Sequence, residues 1–176
     1  MTTTESEGMV IPDFGDDNDR KMAIICSKGT LDMAYPGLIL ANGALENGIE
    51  VHLFFTFWGL DMVNKKTVKK LTVSSAGNTP MRFPSTSISM PQWMSWLPGM
   101  TKFQSWMMRK QVKGIKVPTV PDMMQHIADA GGQLWACKMS ADMMGLELDD
   151  MFDEVIDIIN VDDFMQLSED AQVLFI

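Results

Sequence analysis

The sequence predicts an α/β fold, a three-layer sandwich of helices on a mostly parallel sheet, and three observations predict it. Short continuous apolar runs, Lys21 to Cys26 and Leu134 to Cys137, are of the kind that form strands buried on both faces. Such runs alternate along the chain with stretches of helical periodicity. The first strand, helix and second strand fit in about 35 residues, the length of a right-handed βαβ unit.

Residues 1–20 are polar, acidic and without hydrophobic period, so a disordered tail is expected there, before a single domain over 21–176. After the Lys21–Cys26 strand, Ser27-Lys28-Gly29-Thr30 lacks the glycine and lysine spacing of a nucleotide loop. A helix follows, with Pro36 in or near its first turn, Leu38, Ile39, Ala41, Ala44 and Leu45 on its core face, and Asn47-Gly48 as its stop. Glu50 to Phe57 is the second strand, rich in β-branched and aromatic residues. Trp58 to Val63 reads as a short helical continuation, Leu71 to Ser74 as a weak strand, and residues 75–92, with their prolines, serines and threonines, as a long loop. Trp93, Trp96, Leu97, Met100, Phe103, Trp106 and Met107 recur at three- and four-residue steps across Pro98, with lysines on the other faces. This segment belongs to a Trp/Met-rich basic insertion at about 75–116, and its apolar side is expected to cover the sheet or a neighbouring subunit. Val120 to Ala130 is a helix closed by Gly131-Gly132. The strand ending in Cys137 comes next, then a short helix ended by Gly145, a turn over Leu148 to Phe152, a strand Val155–Ile159, a helix Val161–Leu167 and a closing strand Gln172–Ile176.

Charge is unevenly distributed in a molecule of net charge −9. Six acids lie between Glu5 and Asp19 and eleven between Asp142 and Asp170, while ten basic residues and no acid lie between Met62 and Pro121. Overall acidity argues against a nucleic-acid partner, whose phosphates would meet a mostly negative field. The asymmetry points to pairing between the acidic and basic parts, within or between subunits, in preference to an anionic membrane surface. Two cysteines cannot build a disulfide framework, and the polar N-terminus is not a signal peptide, so a cytoplasmic location is expected.

Few residue sets could carry chemistry. His52 and His126 have no ligand partners at metal spacing, so no metal site and no cofactor is expected. No Gly-x-Ser-x-Gly elbow is present, which excludes a hydrolase of that design. The thiols remain. Cys26 and Cys137 each close a buried strand, and the carboxyl ends of parallel strands are where reactive groups gather. Cys137 also precedes a helix, whose N-terminal partial charge favours thiolate; a small buried hydrophobe is the alternative reading. A third strand between the two thiols would keep them from bridging.

Three stretches together resemble one family. Cys26-Ser-Lys-Gly-Thr-Leu-Asp-Met-Ala-Tyr-Pro36, Val51 to Gly59 (VHLFFTFWG) and Ala136-Cys-Lys-Met-Ser-Ala-Asp-Met-Met-Gly145 are similar to the DsrE/DsrF-like sulfur-relay proteins, in their longer Met-rich branch often labelled peroxiredoxin family. No peroxidatic Pro-x-x-x-Thr-x-x-Cys is present to support that label literally. The resemblance implies a flavodoxin-like sheet, a homo-oligomer, and sulfane sulfur or thiosulfate carried on Cys137, exchanged with donor and acceptor proteins through their reactive thiols. It leaves Cys26 as a second thiol at a position where many relatives carry a small non-thiol residue. Lys138 and the following helix N-terminus are the candidate anion stabilisers. Two other classes fit the same residues: an oligomeric adaptor or membrane-surface protein using the segment of Trp93, Trp96, Met100, Phe103, Trp106 and Met107, and a Cu(I) or redox-sensing thiol protein using Cys137 with Met139, Met143 and Met144.

Overall fold

The structure, a computed structural model, describes residues 5–6, 9–10, 20–74, 93 and 97–176. The two short strands β1 (Glu5–Ser6) and β2 (Met9–Val10) pair antiparallel. The rest of the expected acidic tail and the expected loop over 75–92 lie outside the described residues.

Five strands make the main sheet: β3 (Lys21–Cys26), β4 (Glu50–Phe55), β5 (Gln133–Cys137), β6 (Val155–Ile159) and β7 (Ala171–Phe175). Their order is β6-β5-β4-β3-β7, and every neighbouring pair is parallel. The helices are α1 (Leu31–Glu46), α2 (Met100–Gly114), α3 (Val120–Asp129), α4 (Lys138–Met144) and α5 (Val161–Leu167). This is the α/β sandwich read from the sequence.

Alternation along the strands divides the core. Ile24 and Cys26, then Val51, Leu53 and Phe55, then Leu134 and Ala136 point to one face, where Leu38 and Ala41 of α1, Met124 and Ile127 of α3 and Ala141 of α4 meet them. Each fully buried aliphatic side chain there is worth about 1.5–3 kcal/mol of transfer free energy. Ala23, Phe54, Cys137 and Ile159 point to the other face and pack on Phe164 of α5, whose ring stacks on Phe54 at 4.3 Å between centroids. Among the described residues the second face is covered far more thinly, by a helix of seven residues. That helix is fixed at its start by a reciprocal cap: Asp163 N–H donates to Asn160 Oδ1 at 2.9 Å, and Asn160 N–H donates to Asp163 Oδ2 at 3.3 Å.

Three local readings change. Pro36 lies in the second turn of α1, one turn later than its missing N–H would be without cost. Leu71 to Ser74 is not a strand. Its backbone is taken up by helices instead: Thr72 C=O accepts from Leu31 N–H, Val73 N–H donates to Ser105 Oγ, and Leu71 C=O accepts from Arg109. Finally, α2 buries Gln104, Ser105 and Met107, and turns Phe103 and Trp106 outward. Polar side chains that satisfy the 71–73 backbone, rather than the largest apolar ones, set its inward face.

The start of the basic middle meets the acidic last third. Lys65 pairs with Asp153 and Lys66 with Asp150, each at 2.7 Å, while Phe152 N–H donates to Val63 C=O at 2.6 Å. Among the described residues no helix is long and apolar enough to cross a membrane.

Candidate functional site

β5 runs into α4 without a loop, so Cys137 is both the last strand residue and the N-cap of the helix, in extended conformation with φ −76° and ψ 121°. An N-cap side chain faces the N–H groups of the second and third helical residues. Here those belong to Met139 and Ser140, whose N–H groups favour the thiolate although no cap hydrogen bond to the sulfur is formed. Two hydroxyls complete the set, from Ser140 itself and from Thr56 just past the end of β4. The register explains the meeting: β4 lies beside β5, with Phe55 opposite Ala136, so Thr56 comes level with Cys137.

Ser140 is buried and held from the β4 side. Its Oγ accepts the N–H of Phe57 at 2.9 Å and lies 3.1 Å from Thr56 Oγ1. With one lone pair committed to Phe57, its O–H remains to donate. Phe57 reaches this position in the left-handed region, φ +46°, a conformation that costs a non-glycine residue about 1–3 kcal/mol.

Cys137 exposes 2% of its surface and sits just beneath the carboxyl rim of the sheet. Burial by itself pushes its thiol up. The donor groups beside it, the Ser140 hydroxyl and N–H, the Thr56 hydroxyl and the Met139 N–H, favour the thiolate, outweigh that and bring the thiol below its ordinary value. Cys26 is the contrast: equally covered, its thiol is pushed up to about 12 by burial. The two thiols are separated by β4 and point to opposite faces, so they cannot bridge. Ser140→Ala removes one donor to the thiolate, so the pH at which iodoacetamide begins to react with Cys137 should move upward. An unchanged alkylation midpoint would deny Ser140 this part.

The remaining sequence candidates are placed as follows. Lys138 lies at the first helical position, its ammonium 3.3 Å from Asp142 Oδ1. The groups that lower the Cys137 thiol, on Ser140, Thr56 and Met139, are neutral donors. Met139 and Met143 are exposed on α4, and Met144 packs against the core. Among the described residues no three His, Cys, Asp or Glu side chains stand together as metal ligands. His52 is buried near the amino rim, accepting from Trp135 Nε1 at 3.4 Å and within 3.1 Å of Glu50. In the Trp/Met segment Trp93, Phe103 and Trp106 are exposed, Met100 is half-buried, Met107 is buried, and Trp96 lies outside the described residues. Lys110 sits over the Trp106 ring at 5.3 Å.

Thr56, Phe57 and Ser140 were not candidates from sequence. Isolated hydroxyl residues carry no periodic signal. The usable hint was positional: strand ends adjacent in a parallel sheet share one rim.

A thiol at the end of a parallel strand, at the N-cap of the next helix, defines a cysteine-centred α/β protein. The chain belongs to the DsrE/DsrF/DrsH-like family, whose model matches residues 18–176. It is 35% identical over 140 residues to the sulfur carrier protein DsrE2 of Allochromatium vinosum, covering 77% of this chain and 85% of that one. It is 29% identical over 163 residues to the protein YrkE of Bacillus subtilis, covering 89% and 97%. The crystal structure of the ychN protein from E. coli has the same fold, with a TM-score of 0.52 at 14% identity, over 89% of this chain and 99% of that one.

Proposed function

We propose that the protein is a cytoplasmic sulfur carrier that holds sulfane sulfur or thiosulfate on Cys137 and passes it to an acceptor thiol. One observation carries the reading: a near-surface thiol brought below its ordinary range by four neutral donors, in a chain 35% identical to a sulfur carrier protein. Cys137 thiolate attacks the sulfane sulfur of a persulfide, R–S–SH; the S–S bond breaks, R–S⁻ leaves, and Cys137–S–SH remains. Discharge repeats the step with an acceptor thiolate attacking the outer sulfur. No net oxidant is needed. The donors that stabilise the thiolate also stabilise it as the leaving group on discharge, which suits a carrier that must both take and give. The test is intact-mass analysis after treatment with inorganic polysulfide or tetrathionate. Added sulfur on the native protein, removed by a small thiol, supports the reading, and an unmodified mass sinks it.

The outward face of α2 supports a second role, in assembly. Phe103 and Trp106 lie 6.1 Å apart between ring centroids, exposed among Lys102, Lys110 and Lys113, while acids crowd the last third of the chain. A homo-oligomer in which this face meets a neighbour's acidic surface satisfies both. Light scattering at micromolar concentration should show an oligomer whose mass falls with added salt and with the pair Trp106→Ala and Lys110→Glu. A monomer at low salt would exclude it, and salt-sensitive flotation with phosphatidylserine vesicles would redirect the face to lipid.

A further inference from the structure

On the face of the sheet opposite Cys137 the packing leaves a cavity of about 350 Å³, where α1, α2, α3 and the helical turn Val68–Lys70 converge. Its walls are core side chains: Leu31 and Tyr35 from the start of α1, Val68 and Leu71 from the segment after β4, and Val120 from the start of α3, all of them buried. An apolar cavity of about 300–1,000 Å³ with a few polar groups is the usual form of a small-molecule site.

The polar groups here are mostly cationic. Lys69 and Arg109 line the cavity, and both reach solvent. Arg109 is fixed in place, its guanidinium donating to the Leu71 carbonyl at 2.6 Å. Burial pushes the Tyr35 hydroxyl up and the Arg109 charge works against that, so the guanidinium lies within electrostatic reach of the phenol. The one acid among the described lining residues, Asp122, is engaged at the α3 N-cap, where it accepts the Thr119 hydroxyl at 2.6 Å. Among the described residues neither Lys69 nor Arg109 pairs with a carboxylate, and the chain from Met62 to Pro121 contains no acid. The cavity is thus apolar inside and positive at its opening.

We infer that this cavity binds an amphipathic organic acid, its hydrocarbon body seated among the core side chains and its carboxylate between Lys69 and Arg109. Each part of the site selects one part of that ligand. A small inorganic anion would lose its hydration against walls that return no hydrogen bonds. A neutral hydrocarbon would leave both cations unmatched, and an amine would be repelled by them. The guanidinium fork suits a carboxylate, and the apolar walls suit a body of several carbons. Because the cavity and Cys137 lie on opposite faces, the inference does not depend on the carrier reading.

The test is calorimetric titration of the full-length reduced protein with octanoate, acetate and octylammonium. Octanoate should bind at least about tenfold more tightly than acetate, which lacks the body, and than octylammonium, which reverses the charge. Lys69→Gln, at an exposed position, should weaken octanoate alone. Adding Arg109→Gln, whose amide can still donate to the Leu71 carbonyl, should bring the total loss to about tenfold or more. Circular dichroism checks the fold of both variants; if the double variant is unfolded, Lys69→Gln decides. Protein alkylated on Cys137 with iodoacetamide should bind octanoate as the native protein does. The site would be overturned by no octanoate binding, by acetate or octylammonium binding as tightly, or by an affinity untouched in folded Lys69→Gln. Loss of octanoate binding on alkylation would also overturn it, by moving the ligand to the thiol.

Discussion

Cys137→Ser should show no sulfur adduct with tetrathionate or polysulfide, while Cys26→Ser should keep the adduct of the native protein. The thiolate is the nucleophile in both reactions. A thiol pushed up to about 12, as Cys26 is, stays protonated at neutral pH. Cys26 is moreover enclosed by α1, where a Cβ added to Gly37 would stand 3.3 Å from its sulfur. Tetrathionate reacts by exchange: Cys137 thiolate bonds to one sulfane sulfur, the central S–S bond breaks, thiosulfate leaves, and Cys137–S–S–SO₃⁻ remains. An undiminished adduct on Cys137→Ser would transfer the role elsewhere. Loss of the adduct on Cys26→Ser would mean that the buried thiol participates after all.

The largest loss of stability should come from Gly59→Ala. A Cβ at Gly59 would stand 2.0 Å from the carbonyl oxygen of Cys26 and 2.8 Å from its carbonyl carbon. That carbonyl accepts the N–H of Thr56 at 3.0 Å, so the turn after β4 is stitched onto the end of β3. Gly29 closes the same seam from the other strand, its added Cβ meeting Trp58 C=O at 2.1 Å. Neither obstacle is a flexible side-chain tip; backbone would have to part. The expected cost is about 3 kcal/mol or more, or a fall in Tm of about 6–12 °C for a chain of this size. Thr56 and Phe57 would shift with the turn, so alkylation of Cys137 should also need a higher pH. Gly43→Ala is the control, because nothing lies within 4 Å of its Cβ and alanine favours the α1 helix by about 1 kcal/mol. Equal melting temperatures for the Gly59 variant and the native protein would refute the close approach.

The sequence made the strands legible where an apolar run was cut off sharply. Lys21–Cys26 and Val155–Ile159 have the expected bounds, and so does α5, whose Asn160 cap stands directly before its periodic stretch. Cys137 was visible for the same reason, as the residue where a buried run stops. What surrounds it was not. Ser140 and Thr56 stand 84 positions apart, and their meeting depends on which strands are neighbours. Leu71 to Ser74 has strand-like residues, yet its hydrogen bonds go to α1 and α2, because propensity yields to the partners available. The inward side of α2 was misleading for a related reason. Its Ser105 and Arg109 satisfy backbone groups of the 71–73 segment, and a buried polar group left without a partner costs more than an exposed aromatic ring.

Placing β4 between the two cysteines has a consequence for timing. In many thiol proteins a second cysteine stands ready to expel whatever the first has captured, so the modified state decays at a rate the protein itself sets. Here the chain's other thiol faces away, across a strand and under a helix. A sulfur atom placed on Cys137 therefore has no internal exit. The modified protein would persist until another molecule collides with it in the right orientation, and its lifetime would scale inversely with the concentration of that molecule. Such a protein acts as a store as much as a conveyor, and the fraction loaded at any moment reports the balance between supply and demand.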